Sequence, residues 1–211
     1  MVKKGENFAV ALLVIAMITS ILLAILAIKP NSREVISMKN PKTLIVYYSR
    51  TGNTKVVAEL IQEKLRGDLV QLETQQERPS DYQKEVEQNE REQQNNTIPE
   101  LKTDIPNFEQ YDRIFIGFPV WNMALPQAVV TFFNSYNFKE KTVIPFNTNG
   151  GYGPGKSFDQ VSSILKGANI LEGVSIHGGE EINGILLAIN KGRRVEVSQE
   201  IERWLKKINQ Y

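Results

Sequence analysis

TLIVYYSRTGNTKVVAEL, residues Thr43–Leu60, decides how the rest of the chain is read. Leu44-Ile45-Val46-Tyr47-Tyr48 is β-branched and aromatic without polar alternation, the mark of a strand buried on both faces. Ser49-Arg50-Thr51-Gly52-Asn53-Thr54 is a polar turn. Val56, Val57, Leu60, Ile61 and Leu65 then recur at helical spacing. The unit is strand, short loop, helix. Its loop offers hydroxyls, one glycine and a series of backbone N–H groups at a helix N-terminus, a combination suited to a phosphate. The plainer alternative is that Ser49 or Thr51 caps the helix and Gly52 eases the turn.

Several rival chemistries are excluded. The loop lacks G-x-x-x-x-G-K-[ST] and G-x-G-x-x-G, so it is neither a nucleoside-triphosphate loop nor a dinucleotide fingerprint. The chain of 211 residues has no cysteine, which removes disulfides, thiolate metal sites, iron–sulfur clusters and cysteine nucleophiles. The single histidine, His177, cannot build a zinc site alone and reads as an exposed or satisfied imidazole. A net charge of +1 gives no nucleic-acid footprint.

Upstream, residues 1–7 form a short basic tail with Lys3 and Lys4. Phe8–Ile28 runs 21 residues without a charge. At 1.5 Å per residue such a helix spans the roughly 30 Å hydrocarbon core, so residues 8–28 read as one uncleaved transmembrane helix. Residues 29–41 read as a polar linker, and 42–211 as the domain. The basic tail followed at once by an apolar run, and the absence of cysteine, favour an extracytoplasmic domain. The Lys and Arg count at the two ends favours the opposite side.

Downstream, Asp68–Thr74 alternates like a strand. Gln75–Asn107 is rich in Glu, Gln and Asn and reads as a solvated excursion, with a surface helix over Tyr82–Gln94 and no chemistry. Arg113–Phe118 is the third strand, followed by a Pro119–Pro126 loop carrying Trp121 and a helix to Tyr136. Lys141–Thr148 is the fourth, running into Asn149-Gly150-Gly151-Tyr152-Gly153-Pro154-Gly155. A helix over Ser157–Leu165, a last strand over Ile170–His177 and a helix over Arg194–Ile208 follow. Residues 180–191 give no clear pattern. Alternating strands and helices predict a parallel sheet covered on both faces. The loops after strands one, three and four then converge on one rim, where an anionic tail and a flat ring fit together. Neither Pro119–Leu125 nor Thr148–Gly155 contains an acid, which predicts a ring environment with little negative charge.

Three ordered motifs carry a family resemblance: YYSRTGNT, IGFPVWNMALPQAVVTFF and IPFNTNGGYGPGKSF. From Pro41 onward the chain resembles the flavodoxin family. The resemblance implies an α/β fold, a doubly wound five-stranded parallel sheet of order 2-1-3-4-5, here preceded by one transmembrane helix. It also implies FMN as cofactor. Ser49, Arg50, Thr51, Gly52, Asn53 and Thr54 would hold the phosphate. Pro119, Val120, Trp121 and Asn122 would border the isoalloxazine ring, with Asn149, Gly150, Gly151, Tyr152 and Gly153 on its other side. Asn122 replaces a second Trp of many relatives, and Asn147 replaces a Cys. The implied function is membrane-anchored electron transfer, as a one-electron carrier or an FMN-dependent reductase. The redox partner would be a protein or a membrane quinone. No residue is nominated as a catalytic acid or base. A tethered interaction domain of the same fold without flavin is the alternative.

Overall fold

Every residue of β1 (Thr43–Tyr47) is buried, which places this strand inside the sheet. The computed structural model describes residues 41–211. The basic tail, the apolar run 8–28 and all of the linker except Pro41 lie outside the described residues, and among these no helix is long and apolar enough to cross a membrane. β1 pairs in parallel with β2 (Asp68–Gln71) and with β3 (Arg113–Pro119). β3 pairs with β4 (Thr142–Asn149), and β4 with β5 (Asn169–Ile170) and β6 (Val174–His177). The order is β2-β1-β3-β4-β5, with β6 continuing the position of β5 beside β4. This is the predicted doubly wound arrangement.

Period-two alternation splits the strands between two cores. Leu44, Val46, Ile114, Ile116 and Val143 face one apolar cluster, and Ile45, Phe115, Ile144 and Phe146 face the other. The second cluster is closed by α1 (Asn53–Leu65) and α5 (Lys191–Lys207), through Val57, Ile61, Val197, Ile201 and Trp204. The first is closed by α3 (Gln127–Ser135) and α4 (Ser157–Ile164), through Val129, Phe132 and Val161. The described residues form one compact unit with both cores complete. Gly117 of β3 lies under the Phe146 ring: a β-carbon there would sit 2.2 Å from two ring atoms.

Two expectations change. The last strand, expected unbroken over Ile170–His177, is interrupted between β5 and β6. The carbonyls of Lys141 and Val143 accept from Asn169 and Leu171, so odd-numbered residues of β4 face this neighbour. Pro145 is the next such residue and has no N–H to offer, so the ladder lapses there. The Trp204 indole N–H donates to the carbonyl of Glu172 inside the gap at 2.9 Å.

The Gln75–Asn107 excursion is not merely solvated. An antiparallel bridge between Thr74 and Leu101 closes its base. α2 (Tyr82–Asn95) is capped by Asp81, whose carboxylate accepts from the Lys84 amide at 2.9 Å. It buries Glu85, Asn89 and Glu92, one stripe at helical spacing. Arg78 neutralises that stripe, donating to Glu85 from Nε and Nη2 (3.1 and 2.7 Å) and to Glu92 from Nη1.

Candidate functional site

The order 2-1-3-4-5 puts a topological switch between β1 and β3, and the loops leaving their C-terminal ends open a cavity there. Gly52 is the residue before α1, left-handed at φ 93°, and no side chain makes a capping bond there. Among the described residues, the backbone N–H groups of Arg50, Thr51, Gly52, Asn53 and Thr54 donate to no protein acceptor. Ser49 Oγ reaches only the Lys55 amide, at 3.4 Å. Capping therefore does not account for this loop. Five consecutive free amides at a helix N-terminus form an anion cradle.

The side chains of the loop have separate duties. Thr54 Oγ1 is buried against Thr148 Oγ1 at 2.7 Å, fastening the helix to β4. Asn53 is 4% exposed, and its amide reaches across the chain. Its Nδ2 donates to Leu186 O at 2.6 Å and to Thr51 Oγ1 at 2.9 Å. Its Oδ1 accepts from the Ala188 and Ile189 amides at 3.0 and 3.1 Å. The Arg50 guanidinium is held by Glu181, with Nε 3.0 Å from each carboxylate oxygen, and by the carbonyls of Pro79 and Ser80. The side chains of Asn53 and Arg50 thus fix the 179–189 segment, and their backbone amides remain free for a ligand.

The loop after β3 is a tight hairpin. Trp121 and Ala124 exchange backbone bonds at 3.2 and 2.9 Å, with Asn122 and Met123 left-handed between them (φ 47° and 57°). Asparagine tolerates that conformation well, which suits Asn122 to the place where many relatives have Trp. Gln93 of α2 donates to the carbonyls of both Trp121 and Leu125 at 3.1 Å. Trp121 is half-buried rather than exposed: its ring meets Tyr48 edge-on at 5.6 Å, and the Arg78 guanidinium lies 5.7 Å from its centroid. Burial pushes the Tyr48 phenol up to about 12, against the opposing pull of Arg78.

The loop after β4 is shaped by Asn149, whose Oδ1 accepts from the Gly151 and Gly153 amides at 2.9 and 3.1 Å. Asn149 Nδ2 donates to Ser175 Oγ, which donates in turn to the buried Asn147 Oδ1. Asn147 therefore supports this loop instead of only filling the strand interior. Gly155 (φ 53°) lies against the other loop, where a β-carbon would fall 2.3 Å from Met123 O.

One cavity of about 230 Å³ runs from the amide cradle to Trp121 and Tyr152. A second, of about 330 Å³, lies between the β3 and β4 loops. Ser49, Arg50, Thr51, Asn53, Thr54, Pro119, Val120, Trp121, Asn149, Gly150 and Tyr152 line the first. Asn122 and Gly153 line the second. Of the residues named from sequence, only Gly52 and Gly151 face neither; both have positive φ and shape their turns. Tyr152 is 86% exposed.

Sequence reasoning missed Tyr82, Thr148 and the run Gly179–Asn183, all of which line the first cavity. Gly178-Gly179-Glu180-Glu181 follows the last strand, so the rule that gathered the other loops would have found it. Tyr82 carried no such signal. Glu180 and Glu181 bring two carboxylates to a cavity whose β3 and β4 loops contain none. Glu181 is paired with Arg50, and Glu180 Oε1 lies 3.4 Å from Nε2 of the exposed His177. Among the described residues no cluster of potential metal ligands occurs.

A doubly wound α/β domain with free helix-start amides and two loops lining one cavity at its switch point is of the flavodoxin type. The chain belongs to the flavodoxin family, whose profile matches residues 42–186. A flavodoxin from Synechocystis is 27% identical over 142 residues, covering 65% of this chain and 66% of that one, a little under two thirds of its length. A protein of Bacteroides eggerthii, provisionally described as a flavoprotein, superposes with a TM-score of 0.66. It is 28% identical over 81% of this chain and 99% of its own. A Lactobacillus acidophilus flavoprotein solved in complex with FMN is also 28% identical, with a TM-score of 0.57, covering 64% of this chain and 92% of that one.

Proposed function

We propose that residues 42–211 bind FMN and serve in electron transfer, as a carrier or a reductase, with residues 8–28 holding the domain to a membrane. The observation that carries this reading is the run of five free amides, Arg50–Thr54, opening on a cavity continuous with Trp121 and Tyr152. The amides and Ser49 would take the phosphate. The β3 and β4 loops would flank the ring, with Pro119–Asn122 on one side and Asn149–Gly153 on the other. Bound there, FMN would supply one-electron and hydride chemistry. The chain's own residues bind and orient. Asn53 and Arg50 hold the 179–189 segment against the cradle, and Gln93 fixes the carbonyls of the ring-facing hairpin.

The rim supports a protein as redox partner. Tyr152 and Ile182 line the cavity and are exposed, and Ile185, Leu186 and Leu187 of the segment that follows are exposed too, apolar surface of the kind that transient partners cover. The anchor reading rests on the uncharged run Phe8–Ile28. The domain is read as extracytoplasmic; protease added to intact protoplasts would remove it, and survival until the membrane is breached would reverse that reading.

The cofactor reading is tested by titrating residues 41–211 with FMN and with riboflavin while following flavin fluorescence. Tighter binding of FMN, and a yellow protein after reconstitution, are expected. Equal affinity for riboflavin refutes the cradle's role. Failure to bind either leaves the flavin-free interaction domain as the better reading.

A further inference from the structure

The cavity that the phosphate loop lines has a second wall, the turn Gly179–Asn183. An antiparallel bridge between Glu180 and Ile185 closes the base of this turn, with the Ile185 amide donating to Glu180 O at 3.1 Å. Its tip, residues 181–184, is held far less. Ile182 is 74% exposed, and a β-carbon on Gly184, left-handed at φ 74°, would meet nothing within 4 Å. Among the described residues, the Glu181 carboxylate makes the only hydrogen bonds from this tip to a residue outside 180–185, and they go to Arg50. Arg50 Nε lies 3.0 Å from each carboxylate oxygen and Nη2 lies 2.9 Å from Oε1, with the two side chains 16% and 18% exposed. A forked, largely desolvated pair of this kind is among the stronger polar contacts. Arg50 does not depend on it for its place. Nη1 and Nη2 also donate to the carbonyls of Pro79 and Ser80, at 2.6 and 2.9 Å. The pair can therefore part by movement of the turn alone, while the guanidinium stays beside the five free amides that its own residue begins.

We propose that residues 181–184 are a flap latched by the Glu181–Arg50 pair, and that the flap swings off Arg50 each time a phosphate ester enters or leaves the amide cradle. Glu181 is a positioning residue. It acts through Arg50 on the rate of exchange and takes no part in the redox chemistry. A closed flap slows entry and exit together, which suits a cofactor retained through many turnovers. The latch follows from the contacts of Glu181 and the bareness of the tip. The identity of the ester as FMN rests on the function proposed above.

The test uses residues 41–211, which carry both cores complete, mixed rapidly with FMN while flavin fluorescence is followed. In the parent, the association rate should rise with FMN concentration and then level off at the rate of flap opening. Glu181→Gln should lift that plateau about tenfold or more, and should speed the return of fluorescence on dilution by a similar factor. A carboxylate that only repelled phosphate would act differently, since its removal would speed entry and slow exit. Slower exit therefore overturns the proposal. So does a parent rate that stays linear in FMN, or a variant whose plateau matches the parent's. The parent's own plateau keeps the test valid should the variant misfold. Nitrogen-15 relaxation of the Ile182, Asn183 and Gly184 amides needs no ligand. These amides should be ordered in the parent and mobile in the variant, and equal order would overturn the latch. The two measurements separate the two readings. A flap that loosens in the variant while FMN fails to bind defeats the flavin reading alone. FMN that binds without a plateau defeats the latch alone.

Discussion

Asn53→Ala removes the clamp between the phosphate loop and the 186–189 segment. The side chain makes three bonds to that segment, to Leu186 O, Ala188 N and Ile189 N, at 2.6, 3.0 and 3.1 Å. At a net ~0.5–1.5 kcal/mol each, losing three bonds costs about 2–4 kcal/mol. Ile189 is 1% exposed, so its stranded N–H finds no water without local opening and pushes the loss toward the upper part of that range. A local cost of about 3 kcal/mol corresponds to roughly a hundredfold faster opening equilibrium. Native-state hydrogen exchange should accordingly show the Ala188 and Ile189 amides exchanging about a hundredfold faster, while amides in β3 keep most of their protection. Asn53→Asp is the informative partner. It retains the acceptor for both amides but faces Leu186 O with a carboxylate, so exchange should be intermediate. Its charge beside the cradle should weaken FMN more than the alanine does. Exchange at Ala188 and Ile189 within about threefold of the parent in Asn53→Ala would show that the clamp does not hold the segment, and the reasoning fails.

Arg78→Met leaves Glu85 and Glu92, 3% and 9% exposed, without their counter-charge. It should cost about 3–5 kcal/mol by urea unfolding. Adding Glu85→Gln and Glu92→Gln should recover much of the loss, and no recovery would dismiss the charge argument. Gly155→Ala drives a β-carbon to 2.3 Å from Met123 O, whereas Gly184→Ala meets nothing within 4 Å and bears only its positive φ. The first should lose about 1–3 kcal/mol and weaken FMN; the second should lose about 1–2 kcal/mol and leave FMN binding alone. Equal FMN affinity in both would disprove the close apposition of the two loops. The Tyr48 phenol is raised to about 12 by burial, so its contribution is fully present below the unfolded value near 10 and is lost as pH rises through about 12. Relative to Tyr48→Phe, the parent should lose about 2–3 kcal/mol across that window. Parallel stability curves would refute the shift.

Much of this protein was legible locally. β1, β3 and β4 announce themselves because strands buried on both faces need continuous apolar runs, and Ile114-Phe115-Ile116 and Val143-Ile144 leave no other reading. The phosphate loop, the Trp121 hairpin and the Asn149–Gly155 loop were legible because turn residues follow directly from backbone angles. Parallel connectivity then puts the C-terminal ends of those strands on one rim. The α2 region was misjudged because its buried face is polar. Glu85, Asn89 and Glu92 look solvent-facing until Arg78, outside the helix, meets them. The break in the last strand was hidden for a similar reason. It is caused by Pro145 on the neighbouring strand, and nothing between Ile170 and His177 records that pairing. The double duty of Asn53 and Arg50 was equally out of reach. Composition showed hydroxyl, amide and guanidinium groups beside a glycine, but only the fold brings Leu186, Ala188, Ile189 and Glu181 to them across more than 130 positions. Local sequence determined where an anion and a flat ring belong, because backbone angle and apolar period are short-range properties. Tertiary structure decided which polar side chains are spent on holding that place together, because their partners are distant in the chain.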